Sequence, residues 1–254
     1  MTEPSKSSWI TIVGVAISAY VASDVIHEVL GHGLASWLTP GVRAISLSSV
    51  ALQTVGESRW VSAAGSIANV VAGLASLLLA RGRRPFDAWK YFLLLLGAIN
   101  LLNGTGYLLF SGFLDIGDWA AVVRGWEPAW AWRAGLAVVG ALSYCLSIAG
   151  IASAFAGAGA VPRDLPRLLL IAYVAGGLLL VAASAMNPID PSLIFVSGAS
   201  AGFGAPAGLL AVAPLAEKRA DPHGTTLAHS SSWMLAGALV GSLFVVVVGR
   251  GIRL

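Results

Sequence analysis

Long apolar runs broken by short polar segments dominate this chain, and the runs have the length of membrane-crossing helices. A hydrocarbon core about 30 Å thick takes roughly 20 residues of helix to cross. Seven stretches qualify: Trp9–Leu38, Trp60–Ala80, Ala88–Phe110, Trp132–Ala158, Arg167–Met186, Ser192–Ala216 and Trp233–Gly249. Tryptophans at positions 9, 37, 60, 89, 132 and 233 fall at or near these ends, where amphipathic rings suit the membrane–water interface. The sixth stretch contains GASAGFGAPAGLL, glycine-rich and interrupted by Pro206, which predicts a broken or kinked helix. The expected fold is an all-α polytopic membrane protein of six or seven transmembrane helices, forming one integral membrane domain over residues 1–254.

Two connections depart from the helical pattern. GVRAISLSSVALQTV, Gly41 to Val55, is β-branched and alternating, which predicts one or two short strands after the first helix. SGFLDIGDWAAVVRGWEP, between the third and fourth helices, reads as a glycine-punctuated turn carrying Asp115 and Asp118, followed by a short interfacial helix. NPIDPS, with Asn187 and Asp190, reads as a proline-punctuated turn. His223 and His229 lie in a polar segment, Glu217–Ser232, and read as solvated surface.

Composition agrees with lipid as the solvent. The 254 residues are 57% hydrophobic and 11% charged, against about 25% charged in soluble domains, and mean hydropathy is +0.82. Thirty glycines suit close helix approach where no hydrophobic force drives helices together. A net charge of +3 from scattered arginines argues against nucleic acid as a partner. Those arginines read as topology signals. An N-terminus in the cytoplasm puts nine positive residues inside, Arg81, Arg83 and Arg84 among them, and six outside. No cleavable signal peptide is expected, because the first apolar run is too long and carries charges. Cys145 is the single cysteine, so no intrachain disulfide can form. In a bacterial chain the expected location is the cytoplasmic membrane.

The first helix carries the candidate chemistry. In SDVIHEVLGHGLASWL, Asp24, His27, Glu28 and His32 fall within nine residues of an apolar span. A charge at the bilayer centre costs from about 2.5 kcal/mol upward, so such residues mark function more often than accident. The plain alternative is that they pair with one another along a polar seam and fix helix packing. The sharper reading is a metal site, with two imidazoles as ligands and the glutamate beside the first as base.

Three segments resemble the site-2 protease family of intramembrane zinc metalloproteases. HEVLGHGLA, residues 27–35, is similar to that family's HExxH helix. AAGSIANVVAGL, residues 63–74, is similar to its small-residue segment bearing an asparagine, here Asn69. NLLNGTGYLLFSGFLDIGDW, residues 100–119, is similar to the asparagine-containing helix leading to a Leu-Asp-Gly motif that supplies the third ligand. The strand-like insert also falls where that family places β-structure. The resemblance covers residues 1–125, and the helices of 126–254 are additional to it. It implies Zn2+ as cofactor, His27 and His32 as ligands with Asp118 or Asp115, and Glu28 as catalytic residue. It implies that Asn69, Asn100 and Asn103 bind extended substrate or support the site, against the plain alternative of interhelical hydrogen bonds. It also places the metal motif near the cytosol, opposite to the charge count.

The spacing departs from the family pattern. His27 and His32 stand five apart instead of four. Four residues return to within about 40° of the start, whereas five overshoot to about 140°. A π-bulge would bring the two rings back onto one face, and Gly31 makes such a distortion cheaper. A bulge or unwound turn is therefore expected between them. On a regular helix Asp24, Glu28 and His32 would instead share one face, as metal ligands or as a proton relay. Of the two aspartates, Asp118 is favoured because Gly117 and Trp119 suit a tight interfacial turn. The other could orient a histidine, or both could merely solvate or cap the turn.

The leading expectation is a zinc-dependent intramembrane endopeptidase acting on a membrane-embedded substrate helix. The alternatives are an inactive relative serving as a membrane scaffold, a proton- or cation-relaying transporter, and a metal-dependent hydrolase of lipids. Oligomeric state is left open by the sequence.

Overall fold

The computed structural model describes residues 6–81, 85–188, 192 and 194–254. Arg83, Arg84 and Asp190, which entered the charge count and the proline turn, lie outside the described residues. Among the described residues, seven helical stretches are long and apolar enough to cross a membrane: Trp9–Leu38, Arg59–Arg81, Ala88–Leu114, Ala129–Ala156, Pro162–Ala185, Ile194–Glu217 and Ser231–Val248. The protein is an integral, multi-pass, all-α membrane protein with a small sheet.

The first span is three pieces in line: α1 (Trp9–Val25), a π-helical segment Ile26–Gly33, and α2 (Leu34–Leu38). It begins where the Ser8 side chain accepts the Thr11 N–H, the usual cap for an otherwise orphaned helix amide. A hairpin follows, β1 (Arg43–Leu47) and β2 (Leu52–Val55), pairing antiparallel from Arg43 opposite Val55 to Leu47 opposite Leu52. Then come α3 (Arg59–Arg81) and α4 (Ala88–Leu114), the latter capped by the Asp87 side chain on the Lys90 N–H at 2.7 Å. A short α5 (Asp118–Val123) precedes α6 (Ala129–Ala156) and α7 (Leu165–Ala185).

The sixth span, for which the glycines and Pro206 predict a break or kink, is instead one continuous helical stretch that changes helix type along its length. A π-helical segment Ile194–Gly204 passes through a single 3-10 turn into α8 (Gly208–Glu217). The last span is α9 (Ser231–Leu243) continued by Phe244–Val248. Beyond it β3 (Ile252–Arg253) pairs with β1, giving the sheet order β2-β1-β3. Sequence reasoning did not anticipate this third strand, which is too short to carry an alternation signal.

The apolar core runs between α1, α4 and α7, around Ile12, Tyr20, Leu95, Ile99, Leu168 and Leu169. Outward faces such as Val138, Leu142 and Leu146 of α6 are exposed, as lipid-facing residues are expected to be.

Candidate metal centre

The π-helical segment settles the spacing problem of the first helix. Hydrogen bonding five residues back accommodates an extra residue per turn, so His27 and His32 come onto one face. Their Nε2 atoms lie 3.2 Å apart, with the rings edge to face. This arrangement displaces the alternative set. Asp24, Glu28 and His32 align only on a regular helix; here Asp24 lines a smaller neighbouring space and Glu28 accepts the Leu52 N–H of the hairpin.

Each imidazole is oriented through its other nitrogen. His27 Nδ1–H donates to Asn69 Oδ1 at 2.5 Å, and His32 Nδ1–H donates to the Val61 carbonyl at 2.7 Å. With the Nδ1 atoms committed as donors, both Nε2 atoms present lone pairs inward. Asn69 is held in turn: its Nδ2 donates to Asn100 Oδ1 at 2.7 Å, and Asn100 donates to the Leu96 carbonyl at 2.8 Å. Asn69 and Asn100 are thus a buried amide chain behind His27. They serve the interhelical bonding of the plainer reading and the orientation of a ligand at once. Asn103 does not join this chain; it lines the chamber that also holds Asp24.

Asp118 closes the group. Its Oδ2 lies 3.3 Å from His27 Nε2, and its Oδ1 lies 3.5 Å from His32 Nε2. Gly117, at φ 84, makes the sharp approach into α5 that aims the carboxylate inward, a conformation costly for any residue with a Cβ. Ser66 on α3 donates to Asp118 Oδ2 at 3.1 Å. Asp115 goes elsewhere. It occupies the left-handed position at φ 57 that ends α4, and its exposed carboxylate stands 3.5 Å from Arg133. Its expected place among the ligands is corrected: among the described residues the ligand-like group is His27, His32 and Asp118.

The two Nε2 atoms lie 3.2 Å apart, and a different Asp118 oxygen approaches each, Oδ2 at 3.3 Å from His27 and Oδ1 at 3.5 Å from His32, a close grouping that could hold a metal ion. Tetrahedral zinc with bonds of about 2.0–2.1 Å has neighbouring ligands about 3.3–3.4 Å apart. Two imidazoles and a carboxylate converging in a largely buried site are a donor set that could hold a metal ion. Two histidines and a carboxylate also leave one tetrahedral position open.

Glu28 stands beside this triangle without being part of it. It is buried, and its Oε2 accepts the Leu52 N–H of β2 at 2.6 Å. Both Glu28 and the three ligand-like residues line a cavity of about 360 Å3. The hairpin, through Val50 to Leu52 and Thr54, forms one wall. The π-helical part of the sixth span, through Val196, Ser197 and Ser200, forms another.

Several contributors escaped the sequence reading. Tyr107 stacks on His27 with ring centroids 4.9 Å apart; a tyrosine at an ordinary helical position gives no signal for this. Gly65 matters by absence of bulk: a Cβ there would sit 2.4 Å from His32 Nε2 and 2.7 Å from His27 Nε2. Gly31 packs on it, since a Cβ at Gly31 would meet the Gly65 Cα at 2.5 Å. Gly31 therefore serves helix approach as well as backbone distortion. The AAGS run containing Gly65 could have flagged the contact, since small residues mark close helix crossings.

Comparison with protein-family models, with curated proteins and with solved structures finds no match.

Proposed function

We propose that this protein is a zinc-dependent intramembrane endopeptidase, of the kind the site-2 protease resemblance implies, working in the cytoplasmic membrane if the chain is bacterial. The observation that supports it most is the convergence of His27 Nε2, His32 Nε2 and the Asp118 carboxylate, with Glu28 beside them on the same cavity. His27 and His32 from the first span and Asp118 from the start of α5 would hold the ion. Zinc in such a site supplies Lewis-acid activation of water and of a peptide carbonyl.

The chain's own groups do the rest. Glu28 is positioned to take the proton of the attacking water and deliver it to the leaving amine. The Leu52 amide fixes Glu28 Oε2 and leaves Oε1 for that transfer. Asn69 and the Val61 carbonyl keep both imidazoles in the ligating tautomer. A substrate helix must unwind locally to offer a peptide bond. In the order β2-β1-β3 the strand β2 is an open edge, and β2 residues Leu52 and Thr54 line the cavity. An extended segment can add there by main-chain pairing.

The test is metal content and turnover on one preparation. Purified protein in bilayers should carry about one zinc ion per chain and cleave a reporter bearing a transmembrane helix. Glu28→Gln should keep the zinc and lose the cleavage. A wild-type chain that takes up no zinc, or a Glu28→Gln variant that cleaves as well as wild type, sinks the reading.

A further inference from the structure

Beside the His27–Glu28 turn lies a second, smaller space of about 20 Å3. It adjoins the large cavity, and His27, Glu28, Tyr107, Ser197 and Ala201 line both. Its lining includes Asp24, Tyr20, Ser49 and Asn103. Among the described residues, five buried side-chain polar atoms have no hydrogen-bond partner: Tyr20 Oη, Ser49 Oγ, Asn103 Oδ1, Trp119 Nε1 and Ser184 Oγ. Three of those five belong to this one small chamber. The residues that carry them are 1%, 7% and 9% exposed, so bulk solvent does not satisfy them. Orphaned buried polar atoms are rare in folded proteins, and three facing one space point to a shared partner.

We propose that this chamber binds a single water molecule, held by Tyr20, Ser49 and Asn103 and bonded to Asp24. The valences close. Tyr20 and Ser49 each bring an O–H donor, and a water accepts two. Asn103 Oδ1 and a carboxyl oxygen of Asp24 are acceptors, and a water donates two. The size agrees, since one water needs roughly 10–15 Å3 by this measure. A monovalent cation of similar radius would use Asn103 and Asp24 but leave both hydroxyl protons still to be placed. The donor count therefore favours neutral water. The site ties α1, through Tyr20 and Asp24, to the hairpin turn at Ser49 and to α4 at Asn103. It gives Asp24 a hydrated position inside a membrane span, beside the His27–Glu28 turn. None of this depends on zinc or on peptide cleavage, so its failure and the failure of the peptidase reading are distinct.

The test is a structure of the full chain in lipid, at a resolution that shows ordered waters, solved once in sodium buffer and once in rubidium buffer. One peak is expected at about 2.6–3.2 Å from Tyr20 Oη, Ser49 Oγ and Asn103 Oδ1, unchanged between the two. Tyr20→Phe combined with Ser49→Ala keeps the shape, removes both donors and should abolish the peak. Asn103→Leu should abolish it by filling the space. A dry chamber in the wild type overturns the proposal. So does a peak with contacts of about 2.3–2.6 Å, typical of a cation held by oxygen, or one that strengthens in rubidium. Persistence of the same peak in the double variant also overturns it.

Discussion

The first three spans and the fourth and seventh are almost equally apolar, yet they are different kinds of helix. Mean hydropathy is 1.8, 1.8 and 1.6 for the first three, against 1.9 and 2.0 for Ala129–Ala156 and Ser231–Val248. What separates them is what they bury. Ser23, His27, Glu28, Ser66, Asn69, Asn100 and Asn103 are all buried polar residues of the first three spans, whereas no described residue of the fourth or seventh is both polar and buried. The most hydrophobic window of the third span is 72% buried, and those of the fourth and seventh are 17% buried. Hydropathy identifies the solvent. Buried polarity, which a membrane makes expensive, identifies where chemistry is concentrated.

That contrast can be broken most directly at Glu28. Glu28→Gln should lower cleavage of a transmembrane reporter by about 10^2–10^4-fold, the usual contribution of a positioned general base, with zinc content unchanged. A polar residue of the fourth span offers the matching control: Ser143→Ala, whose hydroxyl bonds only its own helix at the Val139 and Gly140 carbonyls, should alter neither quantity. Equal losses from both substitutions would mean that the division between regions is false.

Removal of a ligand comes next. His27→Ala, His32→Ala and Asp118→Ala should each weaken zinc binding by more than about 100-fold, beyond the effect typical of outer-sphere partners. Asp115→Ala should leave it intact, because that carboxylate faces Arg133. Titration of each variant against a zinc-sensitive dye reads the difference. A zinc loss in Asp115→Ala equal to that in Asp118→Ala would overturn the ligand set.

Smaller again is the effect of the amide chain. Asn69→Leu removes the acceptor of His27 Nδ1–H and should cost about 10–100-fold in zinc affinity, as outer-sphere substitutions do, without changing the fold. Replacing Ser147 on α6 with leucine, outside the polar network, should cost nothing in zinc. If Asn69→Leu binds zinc as wild type does, the asparagine is packing alone.

These tests also show which parts could be read from residues. The spans were legible because membrane length and apolar composition are one-dimensional signals. The five-residue histidine spacing was legible as a conflict with regular helix, and the conflict forecast the π-helical turn at Ile26–Gly33. The choice between Asp115 and Asp118 turned on Gly117, a local backbone signal. Long-range partners were not legible. The Leu52 amide on Glu28, Tyr107 against His27 and Val61 under His32 are set by how separate elements cross, and a backbone group carries no side-chain signature. The contribution of the sixth span to the cavity wall was hidden for the same reason.

The smallest expected effect tests whether the second region is scaffold alone. β3 follows the last span and covers the far edge of β1, with the Leu254 N–H donating to the Ile45 carbonyl at 3.0 Å. The turn of the hairpin is held as well, by the Ser49 N–H on the Val248 carbonyl at 3.2 Å. The other strand of that hairpin presents the Leu52 amide to Glu28. A chain of main-chain bonds therefore runs from the end of the least buried region to the candidate base. Leu254→Pro deletes one donor in that chain and touches nothing in the metal triangle. Zinc affinity should stay constant, hydrogen exchange at the Leu52 amide should quicken by roughly 3–10-fold, the equivalent of about 1 kcal/mol for one lost hydrogen bond, and cleavage should fall only a few-fold. Unchanged exchange at Leu52 would mean that β3 merely fills an edge, and the two regions would then be as separate as their buried polarity suggests.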